Sequence, residues 1–297
     1  MKPLGGTELL YKNLAKYVGQ EWIENIHLLV SAFDNRIYDE AKKKILWQHL
    51  MTDQYNAQPM SDATLVNRID QFVYVSNWQM QQFIQHFNVG HCNNMVIKNA
   101  IEPITFKEKP KDKIRLVYNS MPDRGLEVLL DAFDMMNTKD IELVVHSSNV
   151  TYGTGYAKLM GNTHEHLFNR CRKHPNITYK GFAMNPVIRT AVQAAHILAY
   201  PSIFPETSCL VAIEAGAAGC KIVTTDYGAL TETCDKWATY INHTDNKKEL
   251  AEAYAAKLTE EIDNYTDTSA KEQSDWFNET YSWDKRKKEW KKLLCEK

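Results

Sequence analysis

Tyr200-Pro201-Ser202-Ile203-Phe204-Pro205-Glu206-Thr207-Ser208-Cys209-Leu210-Val211-Ala212-Ile213-Glu214-Ala215-Gly216-Ala217-Ala218-Gly219 leads from an apolar segment of strand length into a segment of helical character. A second apolar run, Lys221-Ile222-Val223-Thr224-Thr225, follows it. Strand, proline-stiffened turn, helix and strand in that order make one unit of a parallel α/β sheet. A helix that starts after a strand presents unpaired backbone N–H groups and the positive end of its dipole. Thr207, Ser208, Cys209 and Leu210 are therefore candidates to receive an anionic group without help from a metal ion. Glu206 precedes them, and Glu214 lies eight residues on, about 12 Å further if the whole interval is helical. Two carboxylates so far apart cannot share a proton, so separate ligand contacts are expected of them. Gly216 and Gly219 predict close packing behind the site.

Outward from this stretch, strand-length apolar runs alternate with amphipathic helical stretches along the whole chain. The first series has strands at 26–31, 44–49 and 72–76, with helices at 7–18 and 77–88. The second has strands at 113–118, 141–146, 177–180, 196–201 and 221–225. Between them, 103–112 is polar and twice interrupted by proline, and it reads as a linker. A chain of 297 residues fits two domains. The expected division is an N-terminal Rossmann-like domain over 1–102, a C-terminal one over 103–275, and a terminal helical segment, 276–297, packing back on the first. Trp276, Phe277, Trp283, Trp290 and Leu294 are its expected buried side. In doubly wound sheets ligands sit beyond the carboxyl ends of the strands.

Composition narrows the function. A hydrophobic fraction of 44%, a charged fraction of 24% and a formal net charge of −2 describe a globular protein without the basic field of a nucleic-acid binder. Small molecules are the expected partners. The six cysteines, Cys92, Cys171, Cys209, Cys220, Cys234 and Cys295, have no metal-ligand spacing and are too sparse for a disulfide framework. Free thiols in a reducing, cytoplasmic compartment are expected, since no apolar run is long enough to span a bilayer and no signal-peptide core is seen. The run Lys285-Arg286-Lys287-Lys288 reads as a solvated helix face, and a basic amphipathic helix also suits peripheral contact with an anionic membrane.

Glu206, seven residues and Glu214 resemble the E-x7-E signature of glycosyltransferase family 4, whose members have the GT-B fold. Other segments agree in order. Gly5-Gly6-Thr7-Glu8 resembles the family's N-terminal glycine loop, with Gly5 and Gly6 approaching the donor diphosphate. Trp47-Gln48-His49 resembles the position of the active-site histidine beside the donor sugar. Val75-Ser76-Asn77-Trp78 resembles a strand-to-helix turn, where Ser76 is read as a helix cap. Asn99-Ala100-Ile101-Glu102 resembles the interdomain motif, and Arg124-Gly125-Leu126 the step whose cation faces the donor phosphates. The segment 177–181 with 184–195 resembles the part whose backbone recognises the base, and Asp226-Tyr227-Gly228-Ala229-Leu230-Thr231-Glu232 a cleft-lining loop.

The resemblance implies two Rossmann-like domains, the first shortened, and a metal-independent, cofactor-free transfer with retention. The sugar would pass from a UDP-, GDP- or ADP-linked donor to a hydroxyl acceptor. Glu206 would bind hydroxyls of the transferred sugar and Glu214 the ribose. His49, Glu206 and Arg124 would be the catalytic set. Two departures stand out. Where the family has a second phosphate-facing Arg the chain reads Tyr118-Asn119-Ser120-Met121-Pro122, so either Arg124 and backbone amides suffice or another cation such as Lys2 or Arg115 substitutes. The chain also begins at the glycine loop, without the strand that leads into it. A non-catalytic nucleotide-sugar-binding protein and a nucleotide-sugar epimerase are the rival readings.

Overall fold

The computed structural model describes residues 5–295. Its contacts divide them into two compact units. One comprises Pro103–Thr280 together with the described residues up to Gly6, and the other comprises Thr7–Glu102 with the segment from Tyr281 onward. The last helical stretch is thus two helices, Ala270–Thr280 and Trp283–Cys295, one in each unit.

The N-terminal unit holds β1 (His27–Val30), β2 (Lys44–Gln48), β3 (Gln71–Tyr74) and β4 (Asn94–Val96), all parallel and in the order β1-β2-β3-β4. The order runs one way without reversal, so this sheet has no switch point among the described residues. Every residue of β2 is buried, which is why that stretch reads as a continuous apolar run rather than an alternating one. The short edge strand β4 escaped the sequence reading because Asn94-Met95-Val96 is half-buried throughout and carries no periodicity. Ser76 caps the helix Asn77–Phe87, its Oγ accepting from Gln79 N at 3.0 Å.

The terminal helix Trp283–Cys295 belongs to this unit. Trp290 lies edge-on to Trp47, with centroids 5.1 Å apart, and Tyr17 stacks on Trp283 at 5.4 Å. Leu293, rather than Leu294, is the fully buried leucine. The basic run is not a uniform solvated face, because Arg286 is buried and bonded to Glu289. Lys16 and Tyr17 both donate to Glu102, at 2.7 and 2.6 Å, so the motif at 99–102 is tied to the first helix, Gly6–Val18. No helix among the described residues is long and apolar enough to cross a membrane.

In the C-terminal unit β5 (Ile114–Tyr118), β6 (Ile141–Val145), β7 (Ile177–Tyr179), β8 (Ile197–Tyr200), β9 (Lys221–Thr225) and β10 (Ala238–Ile241) form a parallel sheet in the order β10-β9-β8-β5-β6-β7. The chain winds outward from β5 in one direction, returns, and winds outward again from β8. The reversal falls between β5 and β8, where an open α/β sheet binds its ligand. The helices Asn185–Ala194 and Leu210–Ala217 follow β7 and β8.

The expected linker is a packed strap of the C-terminal unit. Lys109 is 6% exposed, and its ammonium donates to the carbonyls of Val192 at 3.4 Å, Gln193 at 3.2 Å and Ala218 at 2.9 Å. These carbonyls end the helices 185–194 and 210–217, so one cation answers two negative helix termini. Ile104 N donates to Asn278 Oδ1 and Gln193 Nε2 to Thr105 O, each at 2.8 Å. Gly216 and Gly219 make the packing behind possible, because a Cβ on them would lie 2.4 Å from the Phe277 ring and 2.7 Å from that of Phe106. Lys109→Met should lower the free energy of unfolding by about 2–3 kcal/mol, since it strands buried carbonyls that now accept from a charge. Urea denaturation followed by circular dichroism measures this.

Candidate functional site

The loop after β8 is fixed by hydrogen bonds from β9. Thr224 Oγ1 donates to Tyr200 O and Thr225 Oγ1 to Ser202 O, both at 2.7 Å. Two glycines then let neighbouring backbones close on it. Gly125 has φ +129°, and a Cβ there would lie 2.1 Å from Pro201 O. Gly228 has φ +69°, and its Cβ would lie 2.5 Å from Glu206 N. Glu206 forms a parallel bridge with Gly228, and its carbonyl accepts from Ala229 N at 2.7 Å. This bridge diverts the chain, so the helix starts at Leu210 rather than at Thr207. Glu206 is therefore an extended residue ahead of the helix, and the interval to Glu214 is only partly helical.

The Glu206 carboxylate is held at one oxygen. Oε1 accepts from Arg124 Nη1 at 3.0 Å and from Tyr200 Oη at 2.6 Å. Arg124 lies over the Phe204 ring, its Cζ 3.4 Å from the centroid. The side chains of Arg124 and Glu206 are 15% and 13% exposed, so the pair is largely withdrawn from water and little screened. Tyr200 had not been singled out from the sequence. As the last residue of β8 it reads as core, and only its hydroxyl reaches the site.

Thr207 and Ser208 are half-buried, and Cys209 is a buried N-cap without a side-chain capping bond. Ile213 N makes the first helical bond, to Cys209 O. The N–H groups of the first turn, from Leu210, are those that any helix start leaves without an intrahelical partner. Gly5 and Gly6 group with this unit, and a Cβ on Gly6 would come 2.9 Å from Leu210 Cδ1. Gly6 is the first residue of a helix rather than part of an open loop.

Glu214 is buried in the helix 210–217, facing the helix 185–194. Its Oε1 accepts from Asn185 Nδ2 at 2.9 Å and lies 3.4 Å from Arg189 Nη1. Neither partner was legible in the sequence, where 184–195 is read only for its resemblance to the part whose backbone recognises the base. Burial pushes the Glu214 carboxyl up, against the opposing pull of Asn185 and Arg189.

His49 stands in the N-terminal unit, just beyond β2. Its ring is tilted on Trp47 at 4.5 Å, and burial pushes the imidazole down to about 3. It is neutral at physiological pH, and so has a hydrogen bond rather than a positive charge to offer. Of the two substitute cations, Lys2 lies outside the described residues. Arg115 is excluded by place and pairing: it is in the amino half of β5, bonded to Asp112 at 2.6 Å and to Glu142 at 3.2 Å, at the opposite end of the strand from Asn119. Among the described residues no group of three or more His, Cys, Asp or Glu side chains is placed to hold a metal ion. Cys171, Cys209, Cys220 and Cys234 are buried free thiols pushed up by burial.

Two parallel-sheet Rossmann-like domains define the GT-B class of α/β proteins. Residues 114–260 match the family described as Glycosyl transferases group 1, and the chain is glycosyltransferase-family-4-like with the GT-B fold. Its structure is similar to the pneumococcal O-GlcNAc transferase GtfA in complex with UDP and GlcNAc, at TM-score 0.63 and 15% identity over 92% of this chain and 58% of that one. It is similar to Anabaena HepE in complex with UDP and glucose, at 0.67 and 16% over 99% and 84%. It is also similar to a glycosyltransferase from Rickettsia africae, at 0.68 and 13% over 98% and 82%. At these identities the likeness is one of fold. The chain spans 58% and 60% of the chains it matches in the GtfA and GtfA/B structures. No curated protein matches it.

Two outcomes are expected from this geometry. Gly125→Ala forces a Cβ against the Pro201 carbonyl at positive φ, and should cost more than about 1 kcal/mol in thermal or urea unfolding. A carboxyl raised by folding stabilises fully below its ordinary value of 4.5, and that contribution is lost as pH rises through the folded value. Glu214→Gln, neutral throughout, should therefore gain stability relative to the wild type as pH rises from below 4.5 to neutrality. Urea midpoints at both ends of that range check this, and parallel curves would show that Glu214 ionises as freely folded as unfolded.

Proposed function

We propose that the chain is a retaining glycosyltransferase that moves a sugar from a nucleoside-diphosphate donor to an acceptor hydroxyl without a metal ion. The observation that carries this is the Glu206 carboxylate, fixed by Arg124 and Tyr200 at the carboxyl end of β8, beside the switch point and ahead of the helix start at Leu210. The family match over 114–260 includes all of these residues. The UDP named with GtfA and with HepE makes a UDP-linked sugar the first donor to try, ahead of GDP- and ADP-linked ones.

In this reading Arg124 and the helix-start amides take charge developing on the departing diphosphate. Glu206 accepts from hydroxyls of the transferred sugar and fixes its orientation. Glu214 accepts from the ribose, its own position set by Asn185 and Arg189. The bond from the anomeric carbon to the diphosphate oxygen breaks with its electron pair on that oxygen. The acceptor oxygen bonds to the same face, and its proton passes to the departing phosphate oxygen, so no protein nucleophile is consumed. The buried free thiols suit a reducing, cytoplasmic compartment.

Purified protein incubated with UDP-, GDP- and ADP-linked sugars in EDTA should release nucleoside diphosphate slowly from one of them. Thermal stabilisation without release would mark a binding protein, and a changed sugar still on its nucleotide would mark an epimerase. Glu206→Ala and Glu206→Gln should each lower release by about 100-fold or more while far-UV circular dichroism is kept. Wild-type turnover by Glu206→Gln would remove Glu206 from the mechanism.

A further inference from the structure

A cavity of about 180 Å³ opens at the amino edge of the C-terminal sheet. It is lined by Lys221 and Ala238, the first residues of β9 and β10, by Trp237 and Tyr265, and by Ser269 and Gln273 at the start of the helix Ala270–Thr280. Thr225, which fastens the loop of Glu206, is the last residue of β9, about 13 Å along the strand from Lys221. The cavity therefore shares no residue with the donor site proposed above.

Two polar groups on its wall are left over by the fold. The Trp237 indole Nε1 is buried and has no hydrogen-bond partner. Gln273 is 5% exposed, and its Nε2 donates to Cys220 O at 2.6 Å and to Gly216 O at 3.3 Å. Those bonds fix the amide and turn Oε1 away from the two carbonyls, and no donor among the described residues reaches Oε1. A donor and an acceptor left unpaired on the wall of one cavity are costly to the fold unless something in the cavity pairs them.

The charges around the cavity decide the class of ligand. Lys221 is paired with Glu261, whose other oxygen accepts from Thr239 Oγ1 at 2.8 Å. Lys236 is exposed, with its Nζ 4.8 Å from the Trp237 ring centroid, so water and salt screen it. No charge is thus held in reserve for an anion. What the cavity offers is two aromatic rings, one N–H donor and one carbonyl acceptor. A pyranose matches that set, because its C–H faces are apolar and lie on rings while each hydroxyl both donates and accepts. At ~30 Å³ per water the space holds about six waters, and one hexose ring with its hydroxyls takes their place.

We infer that this cavity is a non-catalytic sugar site, which holds one neutral hexose unit through the Trp237 N–H and the Gln273 carbonyl. On the proposed reading of the chain as a glycosyltransferase, that hexose is a unit of the acceptor glycan, and a second hold on the glycan raises its concentration near the donor site.

The test is a titration of isotope-labelled protein with the methyl glycosides of glucose, galactose, mannose and N-acetylglucosamine, and separately with potassium phosphate, followed by proton–nitrogen NMR. The indole resonance that is lost in Trp237→Phe should shift with at least one glycoside and stay in place with phosphate. The amide resonances of Ala238 and Ser269 measure the affinity in both proteins, and their wild-type shifts locate the ligand without any variant. Trp237→Phe keeps an aromatic ring and loses the donor, so it should bind about fivefold more weakly. No shift with any glycoside, a shift with phosphate at lower concentration than with any glycoside, or equal affinity in Trp237→Phe would overturn the sugar site and leave the donor reading standing. No release of nucleoside diphosphate by the wild type, with the glycoside shift intact, would do the reverse.

Discussion

Two close backbone approaches hold the site together. Gly125 lets the turn after β5 lie against the Pro201 carbonyl, and Gly228 lets the turn after β9 lie against the backbone of Glu206. Both have φ values that an L side chain rarely adopts. The loop after β8 is thus clamped from the neighbouring strand on either side. Arg124 precedes one clamp and Glu206 sits in the other, so their 3.0 Å contact is a consequence of glycine geometry more than of side-chain attraction. A partly buried ion pair is weak support for stability by itself. Here the backbone sets its geometry and the side chains inherit it.

The parallel architecture was legible because buried parallel strands are continuous apolar runs, and β2 and β8 are buried at every residue. What hid were two of the four sheet edges. β4 is half-buried at all three of its positions, and β10 at all but the last, so neither contrasts with a loop. The segment 103–112 reads as a linker from its polarity and prolines. Lys109 is a charge that the fold turns inward to meet two helix ends, and composition cannot distinguish that from a solvated lysine.

The site was half legible for a related reason. Glu206, Glu214, Arg124 and the glycines follow a spacing along the chain. Their partners do not. Tyr200 is a strand residue, and Asn185 and Arg189 lie on a different helix from Glu214. Asn185 and Arg189 reach Glu214 only through the sheet order, which the sequence does not print. The helix start was misplaced by the same blindness, because the Glu206–Gly228 bridge that delays it to Leu210 is a long-range contact.

Electrostatics connects these observations. In the C-terminal unit the Arg124 guanidinium is already engaged with Glu206. A diphosphate drawing on the same guanidinium meets a carboxylate 3.0 Å away from it, and two anions competing for one weakly screened cation repel each other. The conflict eases when the carboxylate turns its free lone pairs to hydroxyl donors, which stabilise its charge without adding another anion. A sugar attached to the diphosphate supplies such donors at a fixed distance, and a bare diphosphate does not. On the proposed reading, the Arg124–Glu206 pair therefore favours a donor in which sugar and phosphate arrive together.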